Sequence, residues 1–291
     1  MTKTHKLLYA ATVFAAVCGV VCGLVRCGDI FADGYRAFYI TAFICASFIA
    51  AAAYLTGKQS HADGRERLTA FESPDAPLEC ADSYTPVLTF GLLLGAGLAA
   101  ISAVRGFVTR TDLLSTVNAL FVFVCAFTLA VRALNKEQGE KTGIFSVFPI
   151  YYLCMYLLMF YRDNAIGSDI DVYGPQTITL SVLIFAAYFN AAVKFDSRPA
   201  FFRFYTALLG ICLWVSELTG YIALRSSLTC TDPAFFLTMT GGFAVYCLCS
   251  LYALPLRLFK IKKKKKSDEA PSDSDSPAEV PAENCQNLID P

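Results

Sequence analysis

Charge is what this chain has least of. Asp, Glu, Lys and Arg supply 16% of its 291 residues, against about 25% in an average soluble domain, while 56% are hydrophobic. A water-soluble fold of this length would have too little polar surface to cover itself. Histidine is nearly missing as well: the chain has 2, His5 and His61, and both lie outside its apolar runs. Those runs therefore offer no zinc site and no histidine-based catalysis. Also missing are HExxH, GxSxG, a P-loop and the DDxxD of prenyl transfer. No cofactor is expected, and a membrane enzyme is the weakest of three functional readings.

The apolar residues are gathered into eight blocks: Leu7–Val25, Ala37–Leu55, Val87–Val104, Leu113–Val131, Ile144–Phe160, Gln176–Val193, Phe204–Leu224 and Ala234–Leu256. Each approaches the ~20 residues that cross a ~30 Å hydrocarbon core as a helix. They are continuously apolar rather than alternating, so barrel strands are excluded and the fold class is an all-α polytopic transmembrane helix bundle of eight spans. Residues 1–256 make up the bundle and 257–291 a tail. The first block follows Lys3 and Lys6 but lacks a small-x-small cleavage pattern, so it reads as an uncleaved anchor. The fifth and sixth blocks are the shortest.

With the N-terminus in the cytoplasm and all eight blocks crossing, 18 of the 24 Lys and Arg fall on the cytoplasmic side, including every lysine. The outer side receives Arg26, Arg36, Arg105, Arg110, Arg162 and Arg225. Discounting the tail leaves the bias intact, so both termini are expected in the cytoplasm. The run Lys262, Lys263, Lys264, Lys265 and Lys266 then follows the last span by a few residues. Anionic lipid headgroups would attract it by about 1 kcal/mol per lysine. The acidic, proline-containing stretch from Ser267 to Pro291 has no aromatic residue, so it predicts disorder and speaks against nucleic-acid binding. Phosphorylation at Ser272, Ser274 or Ser276 would compete with lipid for the lysines, although a simple solvated tail explains the composition too. The one long cytoplasmic loop, Gly57 to Pro86, is too short and polar to be a domain.

A repeat is visible across the halves. RGFVTRTD (Arg105–Asp112) aligns with RSSLTCTD (Arg225–Asp232), and GDIFADG (Gly28–Gly34) loosely with SDIDVYG (Ser168–Gly174). It predicts two parallel four-helix repeats related by an axis along the membrane normal. Convergence explains the same match, because Thr-Asp is a good helix N-cap and an outer arginine snorkels.

Glu217, inside LWVSELTGYIA, is the strongest single signal. It lies seven residues before the end of its block, roughly 10 Å below the outer surface at 1.5 Å per residue. An ionisable side chain there usually faces a bundle interior or a water-filled cavity. Asn118 lies at similar depth in the fourth block, with Thr116 close by, and Arg105 and Arg225 stand at the same mouth. Together these five predict a polar, outward-facing pocket for a small solute. The competing explanation is that Glu217 only holds helices together by hydrogen bonding.

Two other clusters carry less. Three aspartates in DNAIGSDID (Asp163–Asp171) supply oxygen ligands for a divalent cation, yet arginines share that face, and no metal is assigned. The 12 cysteines form no ligand spacing. Eight of them, Cys18, Cys22, Cys45, Cys125, Cys154, Cys212, Cys247 and Cys249, fall in the blocks, where a thiol packs as a small apolar group. Only Cys27 and Cys230 face outward as candidates for a disulfide, and the spacing gives that pairing no support. Pro149 in the fifth block and Gly241-Gly242 in the eighth are candidate points of kinking.

The segments VFPIYYLCMYLLMFYRDNA (Val147–Ala165) and AAYFNAAVKFDSRPAFFRFY (Ala186–Tyr205) resemble a group of uncharacterised eight-span membrane proteins of clostridial bacteria. The resemblance covers about half of the chain, rests on Pro149, Tyr161-Arg162 and the Phe195 to Pro199 turn, and implies a bacterial plasma-membrane protein without assigning an activity. Two functional readings lead. One is a small-solute transporter or ligand-binding membrane protein centred on Glu217 and Asn118. The other is a non-catalytic sensor or interaction partner working through the Gly57–Pro86 loop and the tail, which a bundle packed solid around Glu217 would favour.

Overall fold

A computed structural model describes residues 3–31, 36–62, 86–108, 113–134, 144–165, 170–192, 200–224 and 233–253. All of them are helical. The helices are α1 (Lys3–Phe31), α2 (Arg36–Ala62), α3 (Pro86–Val108), α4 (Leu113–Leu134), α5 (Phe148–Ala165) preceded by a 3-10 turn (Ile144–Val147), α6 (Ile170–Ala192), α7 (Ala200–Leu224) and α8 (Pro233–Ala253). Seven, α6 excepted, are long and apolar enough to cross a membrane, so the chain is a multi-pass membrane protein. Most of the Gly57–Pro86 loop, and the tail with its lysine run, lie outside the described residues.

Several helix starts follow from local chemistry. Pro86 and Pro233 open α3 and α8, and Pro149 is the second residue of α5, where the missing N–H has no helical acceptor to lose. Pro149 therefore starts a helix rather than kinking one. At α2 the cap comes from the preceding helix: the Phe38 N–H donates to Asp29 Oδ2 at 2.5 Å, filling one orphan donor of the first turn.

The outer helix faces are apolar. Phe14 and Val17 on α1, Phe43 and Phe48 on α2, Phe90 on α3, and Phe123 and Phe127 on α4 are all exposed. Water would not tolerate so many exposed phenylalanines, whereas lipid would. Inside, Leu8, Leu92, Leu129, Tyr152, Leu183, Phe204 and Phe243 belong to one buried cluster that ties every helix together. The most enclosed helix is α8, while α2 is the most outward-facing.

Neighbouring helices are brought close by small residues. Gly19 and Gly23 of α1 lie against α7 so tightly that a Cβ on Gly19 would strike the Cys212 carbonyl, and one on Gly23 would fall 2.6 Å from Thr219. That is the close backbone approach of a small-xxx-small contact. Residue numbers rise together along this interface, so α1 and α7 run in the same sense. Between α3 and α8 they run oppositely, with Gly91 against Cys249, Gly95 against Tyr246 and Leu98 against Gly242. The Gly241-Gly242 pair does not break α8. Gly241 is a notch for Trp214 of α7, whose indole N–H donates to the Leu237 carbonyl at 2.9 Å.

Candidate functional site

The buried stripe of α1 reads Leu8, Ala11, Ala15, Cys18, Cys22, Arg26, in steps of three and four that keep one face turned inward. Its last member is a charge. Arg26 is 1% exposed and Glu217, facing it from α7, is 2% exposed. Arg26 Nη1 donates to Glu217 Oε2 at 2.6 Å. The guanidinium also lies 5.8 Å from the Phe38 ring centroid, against the first turn of α2. Three helices thus close around one ion pair. The glycine contacts below it set the spacing, because they fix α1 and α7 close enough for the two side chains to meet.

Burying both charges is costly, and a charge-assisted hydrogen bond of this length recovers much of that cost. Beside the pair, Ser216 Oγ is buried with no hydrogen-bond partner among the described residues. A pair of this kind can act as a lock between helices. It can also open when a proton or a charged solute takes the place of one partner.

The other residues of the expected pocket are dispersed. Thr116 and Asn118 are half-buried on α4, and Asn118 Oδ1 is a buried acceptor with no described partner. However, α4 packs chiefly on α3 and α5, whereas α7 packs on α1, α2, α6 and α8, so Asn118 and Glu217 sit on helices without an extended common interface. Arg105 is exposed at the end of α3, its guanidinium 4.3 Å over the Phe235 ring. The partner found for Glu217 is therefore Arg26 rather than Arg105. Arg225 and Lys262–Lys266 lie outside the described residues. So do Cys230 and Asp169 of the Asp163–Asp171 trio, whereas Asp163 is bonded to Arg162 at 2.9 Å.

Two more arginines that the sequence reading places at the membrane surface are buried at the opposite helix ends. Arg203 donates through Nε to Asn190 Oδ1 at 3.0 Å and through Nη2 to the Ser250 carbonyl at 2.8 Å. Arg132 Nη1 lies 3.3 Å from the Tyr246 hydroxyl. These contacts join α4, α6 and α7 to α8. Among the described residues no three His, Cys, Asp or Glu side chains surround a common point. No family model, curated protein or solved structure matches the chain.

Proposed function

We propose that this chain is a plasma-membrane protein of bacterial type that crosses eight times, keeps both termini in the cytoplasm and binds a small solute in the outer half of its bundle, as a transporter or ligand-binding protein. The observation that carries this reading is the buried Arg26–Glu217 pair. Ionisable groups inside a membrane bundle are retained at a cost, and sites where solutes or protons are handled are where that cost is usually met. In the closed arrangement described here the pair bridges α1 to α7, and a solute would enter by displacing one partner from the other.

Eight crossings gain support from helix direction. Since α1 and α7 run in the same sense, an even number of reversals separates them, which agrees with a crossing by α6. Its lower hydropathy comes from groups that do not face lipid: Gln176 and Thr179 are buried, and Thr177, Thr179 and Ser181 donate to their own helix carbonyls four residues back. Two parallel four-helix repeats have weaker support. The pairs α1–α2 and α5–α6 correspond, as do α3–α4 and α7–α8, but the contact of α6 with α7 has no comparable counterpart between α2 and α3. The basic run Lys262–Lys266 is assigned to anionic headgroups on the cytoplasmic face.

One observation favours the second reading, a non-catalytic sensor or interaction partner: Glu217 is enclosed by tight packing and already has a partner. A ligand screen by thermal stabilisation separates the two, run on the detergent-purified protein and on Glu217→Gln. A solute that stabilises the parent and not the variant supports the binding site and justifies flux assays in liposomes. If no solute stabilises either protein, the loop and tail become the place to seek partners.

A further inference from the structure

The end of the bundle opposite Glu217 carries positive charge inside it. Arg203 near the start of α7 and Arg132 near the end of α4 are both buried, and both reach α8, at Ser250 and Tyr246, one turn apart. The acidic residues of the described helices, Asp29, Asp163, Asp171 and Glu217, all stand toward the other end. The field of the described residues at the Arg203 end is therefore positive.

Part of this arrangement is structural. Ser250 belongs to the last turn of α8, whose carbonyls have no helical donor, and Arg203 Nη2 fills one of them at 2.8 Å. Asn190 is not explained in this way. Its Oδ1 accepts from Arg203 Nε at 3.0 Å, which fixes the orientation of the amide and commits Nδ2 to donate elsewhere. That Nδ2 is buried and has no hydrogen-bond partner among the described residues. A buried donor in this state is costly and calls for an acceptor. Beside a guanidinium the acceptor that gains most is an anion, because it takes charge-assisted bonds from both groups.

Depth supplies the chemistry of that anion. Asn190, Arg203, Ser250 and Arg132 each lie within one turn of a helix end, at Ala192, Ala200, Ala253 and Leu134. Since α4, α7 and α8 are long and apolar enough to cross a membrane, their ends come to the level of the headgroups. Phosphate is the abundant anion there, and basic groups between helices bind it.

We propose that Asn190 and Arg203 form a binding site for a phosphate group at this end of the bundle. Asn190 Nδ2 and the Arg203 guanidinium donate to its oxygens, and Arg132 adds positive charge one turn of α8 away. An anionic phospholipid headgroup and free inorganic phosphate offer the same oxygens. The site lies at the opposite end of α7 from Glu217 and does not depend on solute binding there.

The test uses the full-length, delipidated protein in detergent and two probes, inorganic phosphate and phosphatidylglycerol. Sodium chloride at matched ionic strength and phosphatidylcholine are their controls. Each probe is titrated against thermal unfolding, which moves to higher temperature with occupancy, and native mass spectrometry counts bound lipid. Asn190→Asp keeps the acceptor that Arg203 uses and turns the remaining donor into a second, negatively charged acceptor, so a purely structural contact tolerates it. It should weaken binding by at least about tenfold, the loss of one hydrogen bond to a charged group, and Arg203→Gln by as much. Lys58→Gln, which removes an exposed charge at the same end, should leave binding unchanged. The lysine run is common to all these proteins, so its share of lipid binding cancels in the comparison. Probe-free unfolding checks that each variant folds, and Arg203→Gln serves alone if Asn190→Asp does not. Stabilisation by inorganic phosphate that the variants lose places free phosphate at the site, and the same result with phosphatidylglycerol alone places a lipid headgroup there. Stabilisation by neither probe, or equal binding by the parent and a folded variant of either residue, would overturn the assignment.

Discussion

Arg26 and Glu217 lose different things when one of them is removed. Arg26→Ala leaves a carboxylate buried among α1, α2 and α7, and Glu217→Ala leaves a guanidinium. Either change should cost about 3 to 5 kcal/mol, because an uncompensated charge in a dry interior is worse than no charge at all. The double variant Arg26→Leu, Glu217→Leu should recover most of that loss. Thermal unfolding in one detergent compares all four proteins, and single variants as stable as the parent would refute the lock. Glu217 was legible in the sequence because an ionisable residue inside a long apolar run stands out. Its partner was not, since Arg26 follows the first apolar block and looks like a loop charge until α1 is seen to continue to Phe31. No local pattern announces a contact across 191 positions.

Helix pairing depends on where the small residues fall. Gly19→Val would drive side-chain atoms into the Cys212 carbonyl, and overpacking of this kind typically costs about 1 to 3 kcal/mol. Gly97, with open space where its Cβ would be, should accept alanine with a gain of at most about 1 kcal/mol. Thermal unfolding of both variants checks the contrast, and equal behaviour would argue against a specific α1–α7 contact. The helices themselves were plain in the sequence, because apolar runs of membrane length have few alternatives. α6 was the hardest to read, since its glutamine, threonines and asparagine mimic a loop until they are seen to turn inward or bond to their own backbone. Cysteine labelling in cells tests its crossing: an impermeant thiol reagent should reach Ser168→Cys and not Ser197→Cys, above the labelling of the parent. Labelling at both positions would leave α6 on one surface and require α7 to reverse.

Orientation belongs to the whole molecule, because it is set by charge summed over all the loops. Replacing Lys262–Lys266 with glutamine should leave a C-terminal reporter in the cytoplasm, since the basic bias of the body persists without them. The same change should abolish any protection of the tail from protease in liposomes rich in anionic lipid, where each lysine contributes about 1 kcal/mol of attraction. A reporter that moves to the other side would show that the tail, and not the body, sets topology. The bundle is also held at both ends by buried guanidiniums, Arg26 at one and Arg132 with Arg203 at the other, so a change of state has to break polar contacts at the end that opens. α7 carries two of the helix contacts such a change would disturb, one to α1 and one to α8. Trp214, the chain's single tryptophan, is wedged at the second of them against Gly241. Its fluorescence is therefore a built-in gauge: any parting of α7 from α8 that hydrates the indole would shift the emission to longer wavelength, with no label attached.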